Sequence, residues 1–491
     1  MIAAFLMGFL PAATAGAYAL LIIHPKWTDN PRIINVFTSQ FNTQFGLDNM
    51  RTMGIVRSGL QSWMNVGVAF ATVLSFEDTS SLSSDIEIEA KACCDGDCNA
   101  GCLGRTIITP FSDNCSLDIY NRTAHTSDYS DNRSKKFDFQ SIFTHEFGHC
   151  MGLGHPPGNP PVVMTQDQFV AGQYTKRFPR DDDRLGGQYT QFIANYDVRV
   201  RNRTGGPWTV IGKTSGSVGV ATRADGWSMV TFETDPDGDQ KSHLADVAID
   251  PSGAVGPTCM NYGDWTFDGV AISHDVGTSF AKAFRSSNDT GLIYVFRGVY
   301  PSLVGCVQGT STLTNMASRR RPSLAFDAGT GRLVMTYIEF DTGQIKIATA
   351  DSAGNWTSPV TLSTEWTDAP VGIDCGYWAP DGADRCFLAF PASDGRHQLR
   401  ITKGYISSSG YFIEIGTQPV GGWTLNIAPD IQIVGGNRLE VLHGAADNTR
   451  AVNLYVHDCS GSTCVGSAFP LETRTYLGPG ISSAKMVTAA P

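Results

Sequence analysis

The chain lacks an excess of positive charge. Its 36 lysine and arginine residues are outnumbered by 47 aspartate and glutamate residues, which gives a formal net charge of -11 at pH 7. A surface of this sign repels a phosphate backbone, so the sequence argues against nucleic acid as a partner. Solubility is the simplest role for the negative charge.

The chain also lacks, beyond its N-terminus, any apolar run long enough to span a bilayer. Residues 1–10 are apolar and precede two small-x-small sites, Ala13-Thr14-Ala15 and Ala17-Tyr18-Ala19. We interpret residues 1–19 as a secretory signal peptide. Because a basic n-region is missing, an uncleaved membrane anchor that continues through residues 20–23 stays open as the alternative.

Charged residues are scarce at 17%, against 42% hydrophobic residues, which is typical of a globular and not a disordered protein. A length of 491 residues exceeds one ordinary core, so we expect two domains, or three. Cysteine, in contrast, is not scarce. Twelve cysteines fit an oxidising compartment, and we expect the protein to be secreted and extracellular.

The cysteines divide evenly, six before residue 151 and six after residue 258, so each half is expected to close its own disulfides. In the second half we predict Cys375/Cys386 and Cys459/Cys464, with Cys259/Cys306 by elimination. The cluster from Cys93 to Cys98 matches no regular zinc spacing, so we interpret it as a disulfide-stapled loop and not as a second metal site.

The most informative segment runs from residue 145 to residue 155 and contains His145, Glu146, His149, Gly152 and His155. On a helix, positions four apart share a face, so His145 and His149 can bind one metal ion beside Glu146. Gly152 would end the helix in a left-handed turn that brings His155 round as a third ligand. Three ligands leave one position for a water whose pKa zinc lowers to about 7, with Glu146 as general base. The pattern predicts a zinc endopeptidase.

An ordinary amphipathic helix that happens to carry two histidines is the competing interpretation. An apolar stripe recurs at helical spacing, and the histidines fall on the opposite side of the helix from it. The stripe consists of Phe139, Ile142, Phe143, Phe147, Cys150 and Met151. An ordinary helix does not require a glycine and a further histidine at a fixed distance after its two histidines, as Gly152 and His155 are here. The zinc interpretation is therefore preferred.

The pattern before this segment indicates an α/β domain with a sheet above the active-site helix. Asp48 is a predicted N-cap for a helix that reaches Met64. Strands are predicted at residues 32–36, 73–76, 86–89 and 105–108.

The chain resembles the matrixin branch of the metzincins over about residues 25 to 200. The resemblance is carried by residues 144–155, the helix ending in Trp63 and the following strand Leu74-Ser75-Phe76. The resemblance implies a catalytic zinc on His145, His149 and His155, and a methionine turn beneath it, which Met164 would supply. It also implies that residues 181–187 begin the family's last helix, although a solvated acidic run fits them too. Calcium is a second candidate cofactor, without an acidic cluster to identify its ligands.

The sequence departs from the matrixin pattern in three places. Pro156-Pro157 follows His155, as in the serralysin branch, where matrixins usually carry serine. No tyrosine lies two positions after Met164, so a fifth metal ligand is not expected. From the candidate cleavage sites, only about ten to fifteen residues precede the first strand, so we expect no inhibitory propeptide with a cysteine switch.

The helical spacing of apolar residues ends near residues 202–207. From there to the C-terminus the sequence shows short strand patterns separated by turn residues. We predict a protease domain at residues 20–200 and an all-β domain at residues 206–491. Segments that begin at Arg321, Ala369 and Ala428 share an opening, at spacings that suit one four-stranded blade each. A β-propeller of five or six blades is predicted, with two β-sandwiches as the alternative.

Two motifs in this second half have structural interpretations. Residues 273–280 resemble the Asp-box of sialidase-like propellers, a surface turn that implies no sialidase chemistry, and the Phe-Arg-Ile-Pro motif of sialidases is missing. Arg319, Arg320 and Arg321 alternate faces on a strand and cannot converge on a substrate carboxylate, so we predict a solvated basic turn.

These observations predict a secreted zinc-dependent endopeptidase that acts on protein or peptide substrates. Its propeller would bind a substrate, a partner, a glycan or a surface. A membrane is a partner only if the N-terminal segment stays uncleaved. Two alternatives remain: an adhesion or scaffold protein with an idle protease domain, and a glycosidase whose catalytic unit is the propeller.

Overall fold

The structure is a computed structural model that describes most of the chain between residues 19 and 490. The described residues are 19–20, 32–64, 72–75, 86–92, 102–108, 114–121, 125–126, 136–156, 163–165, 169, 171, 175–177, 179–180, 183–184, 186–187, 196–204, 206–214, 216–234, 243–266, 269–275, 279–286, 290–299, 308–340, 342–393, 397–423, 428–444, 451–459, 465–474, 480–482 and 485–490. The predicted signal peptide, apart from Ala19, and the Cys93–Cys98 cluster lie outside them.

In its described residues, the N-terminal part combines short strands with the helices α1 to α3, and residues 183–184 and 186–187 are helical as well. Its elements are β1 (Ala19–Leu20), β2 (Arg32–Val36), α1 (Thr38–Phe45), α2 (Asn49–Met64), β3 (Thr72–Ser75), β4 (Ile86–Lys91), β5 (Gly104–Ile108), β6 (Cys115–Tyr120), β7 (His125–Thr126), β8 (Phe137–Asp138), α3 (Phe139–Cys150) and β9 (Leu153–Gly154). Five strands form one sheet in the order β3-β2-β4-β6-β5, in which β5 alone is antiparallel to its neighbour. Strand β5 is therefore an edge of the sheet, and it contacts α3.

Helices α2 and α3 pack closely enough to share one core with the sheet. A Cβ atom on Gly59 would lie 2.8 Å from the Cβ atom of Phe143, so only glycine fits there without movement. Trp63 fixes the pair further, because its Nε1 donates to the carbonyl oxygen of Thr144 at 2.8 Å. The predicted N-cap of α2 is confirmed, since Asp48 Oδ1 accepts from the backbone N–H of Arg51 at 2.7 Å.

The C-terminal part is a six-bladed β-propeller, so the two-sandwich alternative is wrong. Each blade is a four-stranded antiparallel sheet. The strands are β10 (Tyr196–Asn202), β11 (Thr209–Thr214), β12 (Gly219–Thr222), β13 (Ser228–Thr234), β14 (His243–Ile249), β15 (Val255–Trp265), β16 (Val270–His274), β17 (Ser279–Arg285), β18 (Leu292–Val299), β19 (Gln308–Ala317), β20 (Ser323–Asp327), β21 (Arg332–Ile338), β22 (Gln344–Ala350), β23 (Val360–Trp366), β24 (Gly372–Trp378), β25 (Ala383–Pro391), β26 (Gln398–Ile406), β27 (Phe412–Trp423), β28 (Asp430–Val434), β29 (Arg438–Gly444), β30 (Ala451–Asp458), β31 (Val465–Arg474), β32 (Gly480–Ile481) and β33 (Lys485–Ala490).

The ring closes by joining its two ends in one blade of order β11-β10-β33-β32. Strand β10 pairs antiparallel with β33, in a register that runs from Asp197 opposite Ala490 to Asn202 opposite Lys485. The first propeller strand thus lies before the predicted boundary at residues 202–207. The inner strands β12, β16, β20, β24 and β28 contact one another in sequence, and β32 lies between β28 and β12. The three shared openings in the sequence lead into β20, β24 and β28.

One hairpin turn recurs between the third and fourth strands of three blades. The backbone N–H of its first residue donates to the carbonyl of the fifth, and that first side chain accepts from the fifth N–H. Its fourth residue is a glycine with φ between 87° and 94°. The three turns begin at Asp250, Asp351 and Ser407. The predicted Asp-box turn also bonds Asp275 N–H to the Ser279 carbonyl, but it joins the first and second strands of its blade.

Two disulfides lie within the described residues, one in each half. Cys115–Cys150 joins β6 to the C-terminal end of α3, and Cys375–Cys386 links β24 to β25 as predicted. Cys259 and Cys459 are also disulfide-bonded. The partners predicted for them, Cys306 and Cys464, lie outside the described residues.

The prediction of a solvated basic turn at Arg319, Arg320 and Arg321 is wrong, because all three side chains are buried. Each guanidinium donates to backbone carbonyls: Arg319 to Phe340, Arg320 to Asp368, and Arg321 to Val218 and Val270. The arginines therefore satisfy carbonyl groups where blades meet. No helix in the described part of the chain has the length and apolarity that crossing a bilayer requires.

Candidate metal centre and catalytic site

Helix α3 presents the first two histidines and Glu146. Asp138 begins it, with Oδ2 accepting from the backbone N–H of Ser141 at 2.7 Å. The helix ends at Cys150, and Gly152 follows with φ 96°, the left-handed conformation expected of it. The chain then enters β9 and delivers His155.

The three histidines meet at their Nε2 atoms. These atoms lie 3.2 Å apart for His145 and His149, 3.0 Å for His149 and His155, and 3.2 Å for His155 and His145. His145 Nδ1 lies 2.7 Å from the Val163 carbonyl oxygen, and His149 Nδ1 lies 2.7 Å from that of Leu153. A carbonyl accepts only, so Nδ1 carries the proton and Nε2 offers a lone pair.

This donor set fits a zinc ion. Nitrogen atoms 3.0–3.2 Å apart can all lie at about 2.0–2.1 Å from one metal. Without a cation between them, the lone pairs of His145 and His149 would repel each other, since their protons point to carbonyl groups. Among the described residues, one cluster of at least three His, Cys, Asp or Glu side chains could hold a metal ion, and it consists of these three histidines. Calcium therefore has no support in that part of the chain.

Burial keeps two of the histidines neutral. Desolvation lowers the pKa of His145 well below its usual value, and the nearby His149 and Lys176 lower it further. The pKa of His149 is lowered mainly by burial as well. The histidines do lie opposite the apolar stripe of α3, but that side of the helix is covered too, because His145 and Glu146 are buried.

Glu146 lies beside the histidines and beneath β5. Its Oε2 accepts from Thr106 Oγ1 at 2.5 Å, and the same hydroxyl lies 3.1 Å from the Glu146 carbonyl oxygen. A Cβ atom on Gly104 would lie 2.8 Å from Glu146 Oε1, so the edge strand passes directly over the carboxylate. Burial raises the pKa of Glu146 to about 7, while the Thr106 hydrogen bond and the charge of Lys176 act in the opposite direction.

Met164 lies against α3 at the turn that also orients His145. Its Sδ would be 2.1 Å from a Cβ on Gly148, so the absence of a side chain there makes room for it. The backbone N–H groups of Val163 and Met164 donate to the Asp183 carboxylate at 2.8 and 3.2 Å. Asp183 is buried, and the described residues 183–184 and 186–187 are helical, as the resemblance implied for this segment.

Sequence reasoning missed several supporting residues. These are common polar residues that lie far along the chain from the groups they bind. Thr106 is 40 positions from Glu146, and Lys176 is 11 positions from Thr165. Asp183 is 20 positions from Val163 and 19 from Met164. Only the acidic run around Asp183 gave a signal, and that signal came from the resemblance. The predicted site residues all lie together: His145, Glu146, His149, His155 and Met164.

A cavity of about 240 Å³ lies in the central channel of the propeller. Its polar lining includes Asp374, Asp430, Gln432, Arg223 and His274. The two carboxylates link neighbouring blades, because Asp374 accepts from the Ile433 N–H at 2.7 Å and Asp430 from the Ile481 N–H at 2.9 Å.

A comparison with protein families supports the N-terminal part of this architecture. Residues 26–188 match the family model described as Matrixin. No curated protein sequence matches the chain.

Among solved structures, the chain is similar to a lectin from Burkholderia pseudomallei, at 14% identity and a TM-score of 0.39, over 54% of this chain and 73% of the lectin. It is similar to the Aleuria aurantia lectin at 14% identity and a TM-score of 0.38, over 54% and 84% of the two chains. A Hadza microbial sialidase is 10% identical with a TM-score of 0.38, over 61% of each chain. The family match and the strand order together show a matrixin-like domain followed by a six-bladed β-propeller, and matrixins are a family of metalloproteases.

Proposed function

We propose that the protein is a secreted zinc-dependent endopeptidase. The observation that carries the proposal is the meeting of three Nε2 atoms within 3.0–3.2 Å of one another, beside the Glu146 carboxylate. His145, His149 and His155 would hold the metal. The match to the matrixin model over residues 26–188 supports the same chemistry.

Strand β5 is a suitable docking site for the substrate. An edge strand has backbone N–H and C=O groups that an extended peptide can pair with, as an added strand. Because Thr106 and Gly104 of β5 contact Glu146, a peptide on this edge would pass close to the carboxylate and the histidines. A protein substrate would need an unfolded or extended segment to bind in this way.

Each residue of the site then has a defined task. Bound zinc would act as a Lewis acid that polarises the peptide carbonyl and activates water. Glu146 accepts a proton from the attacking water and donates it to the leaving amine nitrogen. Thr106 holds Oε2 of Glu146, and the Val163 and Leu153 carbonyls hold the histidine tautomers. Met164 supports α3 from below and does not contact substrate.

The substitution Glu146→Gln tests the proposal. The variant keeps the shape of the side chain but cannot accept the proton, so it should retain about one zinc per chain. Its cleavage of a denatured protein mixture should fall about 100- to 10,000-fold. Zinc content and fragment formation are measured on the same preparations. A suitable control is Glu365→Gln, a buried propeller glutamate that binds Arg400 at 2.7 Å, which should keep full activity. Cleavage that survives Glu146→Gln would refute the proposal.

The glycosidase alternative has one observation in its favour, the presence of Asp374 and Asp430 in one channel, since paired carboxylates hydrolyse glycosides. Their bonds to Ile433 and Ile481 give both residues a structural task, so we place this function second. The Glu146→Gln protein, incubated with chromogenic glycosides and sialylated glycans, distinguishes the two. Sugar release that Asp374→Asn abolishes would support the glycosidase. An idle protease domain would show zinc binding and neither activity.

A further inference from the structure

A buried arginine joins the matrixin-like domain to the propeller. Arg177 lies in a short 3-10 turn at Thr175–Arg177, and its side chain is 1% exposed. Its Nε donates to Asp138 Oδ2 at 2.8 Å, and a second guanidinium nitrogen binds the other oxygen of that carboxylate. The third nitrogen binds Asp368 of the propeller and lies 3.3 Å from Ser393 Oγ.

The aspartate that Arg177 holds is also the N-cap of α3. Asp138 Oδ2 accepts from both Arg177 and the Ser141 backbone N–H. The position of this carboxylate therefore sets the start of the helix that carries His145 and His149. A displacement of Arg177 would move or release the first turn of that helix.

The propeller side of the contact is held firmly. Asp368 lies between β23 and β24, and its carbonyl oxygen accepts from Arg320 Nε at 3.0 Å. Ser393 follows β25, and its backbone N–H donates to the Trp366 carbonyl at 3.1 Å. Arg177 thus binds a part of the propeller that is itself fixed by other buried hydrogen bonds.

The same 3-10 turn also reaches the metal site. Lys176 binds the Thr165 carbonyl, one residue after Met164, and its Nζ lies 4.3 Å from the centre of the Phe169 ring. Phe169 in turn packs edge-on against His145, with ring centres 5.3 Å apart. One turn therefore contacts the start of α3 on one side and the surroundings of His145 on the other.

Two further contacts fix the domains to each other. Ser58 of α2 hydrogen-bonds His397 of the propeller, and His397 adopts φ 52°, an unusual conformation for a residue with a side chain. Arg180 stacks over the Phe340 ring at 5.1 Å. Two separate parts of the matrixin-like domain, α2 and the neighbouring residues Arg177 and Arg180, are held by the propeller, so the two units form one scaffold and not a tethered pair.

We propose that Arg177 is a positioning residue through which the propeller holds the metal-binding helix in place. The affinity of the histidines for zinc then depends on Asp368, which belongs to the other domain and lies outside the metal site. This inference rests on the proposed zinc site, but zinc affinity can be measured whether or not the protein cleaves peptides.

The test uses the full chain with Asp368→Asn, which weakens the bond to Arg177 and leaves the histidines untouched. We expect the zinc dissociation constant, measured by competition with a chelator, to rise about 10-fold, as for other groups that orient metal ligands indirectly. The kcat for peptide cleavage should fall with little change in KM. Hydrogen exchange at the first turn of α3 should become faster in the metal-free protein.

The matched control is Asp246→Asn, another buried propeller aspartate bound to a cation, Lys282 at 2.7 Å. It should lower the stability of the propeller and leave zinc affinity unchanged. If Asp368→Asn and Asp246→Asn have the same zinc affinity as the parent protein, the inference is wrong. Should Asp368→Asn fail to fold, Ser393→Ala removes a weaker bond to Arg177, and unchanged zinc affinity and exchange in that variant would overturn the inference as well.

A double substitution separates a relay from general loosening. Asp138→Asn and Asp368→Asn each weaken a bond to Arg177, and once the link to Asp138 is weakened a change at Asp368 has less to transmit to α3. Their combined effect on zinc affinity should therefore be smaller than the product of the single effects. Independent, multiplicative effects would contradict the relay. If the parent protein binds zinc but cleaves nothing, the proposed protease function fails while these affinity measurements still decide the role of Arg177.

Discussion

Gly148 shows how closely the metal-binding helix fits its support. The residue lies one position before His149, and a Cβ there would be 2.1 Å from Met164 Sδ and 2.9 Å from Trp63 Cζ2. Met164 has a flexible tip, but Trp63 is fixed by its 2.8 Å bond to the Thr144 carbonyl. The lack of a side chain at position 148 is what allows the methionine to lie directly under the helix.

Gly148→Ala should therefore destabilise the protein. Alanine favours a helix by about 1 kcal/mol over glycine, but overpacking at a rigid contact costs about 1–3 kcal/mol. We expect a lower urea midpoint and weaker zinc binding, because the methionine turn also carries the Val163 carbonyl that orients His145. Gly416→Ala, where a Cβ would meet nothing within 4 Å, is the control and should be nearly neutral. Equal stability of the two variants would show that Met164 can move freely.

Among the secondary-structure elements, the inner strands of the propeller carry a pH-sensitive pair. Burial raises the pKa of Asp374 to about 7 and that of Asp430 to about 6, and the charge of Asp430 contributes to the former. Arg321 acts to lower the pKa of Asp430, and Arg223 and His274 line the same channel. The folded protein therefore holds these protons more tightly than an unfolded chain, whose aspartates have a pKa of about 3.9.

A raised carboxyl pKa stabilises the fold at low pH. The contribution is fully present below about pH 4 and is lost as the pH rises through about 6 to 7. Asp374→Asn removes one titrating group and keeps an oxygen that can accept from Ile433. We expect this variant to exceed the parent protein in unfolding free energy by about 2–4 kcal/mol at pH 8, and to lose that advantage at pH 4. Urea unfolding at several pH values measures this, and parallel stability curves would contradict it.

The elements also show what a single sequence can reveal. Strands β2, β4 and β5 and the start of α2 were predictable, because local alternation and an Asp N-cap mark them. Helix α1 was missed because its cap residue, Phe37, makes no side-chain cap bond. Strand β6 was missed because it lies inside the sheet and contains Asp118, whose charge is paired with Lys91 at 2.8 Å.

At the scale of the whole molecule, the predictable features were local and the unpredictable ones were distant. The spacing of His145, Glu146, His149 and His155 needs only eleven consecutive residues and the geometry of one helix. Arg177, in contrast, binds residues 39 and 191 positions away, and no pattern in one sequence links them. Arg320 was misjudged for the same reason, since its carbonyl partner at Asp368 lies 48 positions away.

The propeller therefore contributes to the support of the metal site and is not only an attached module. Its interstrand loops contact α2 through His397 and bind Arg177, which holds the N-cap of α3, while its central channel is lined by groups that link the blades. We propose that choice of target and support of the protease domain both depend on the propeller, and that the protein acts outside the cell.

Titration of the metal-free full chain with zinc tests the central claim most directly. Cleavage of an unfolded protein substrate should be absent without metal and should rise in proportion to added zinc, to a plateau at about one zinc per chain. His155→Ala should show no such rise at the same concentrations, because the third ligand is missing. Cleavage that persists in the metal-free chain, or that zinc never restores to the parent protein, would contradict the account.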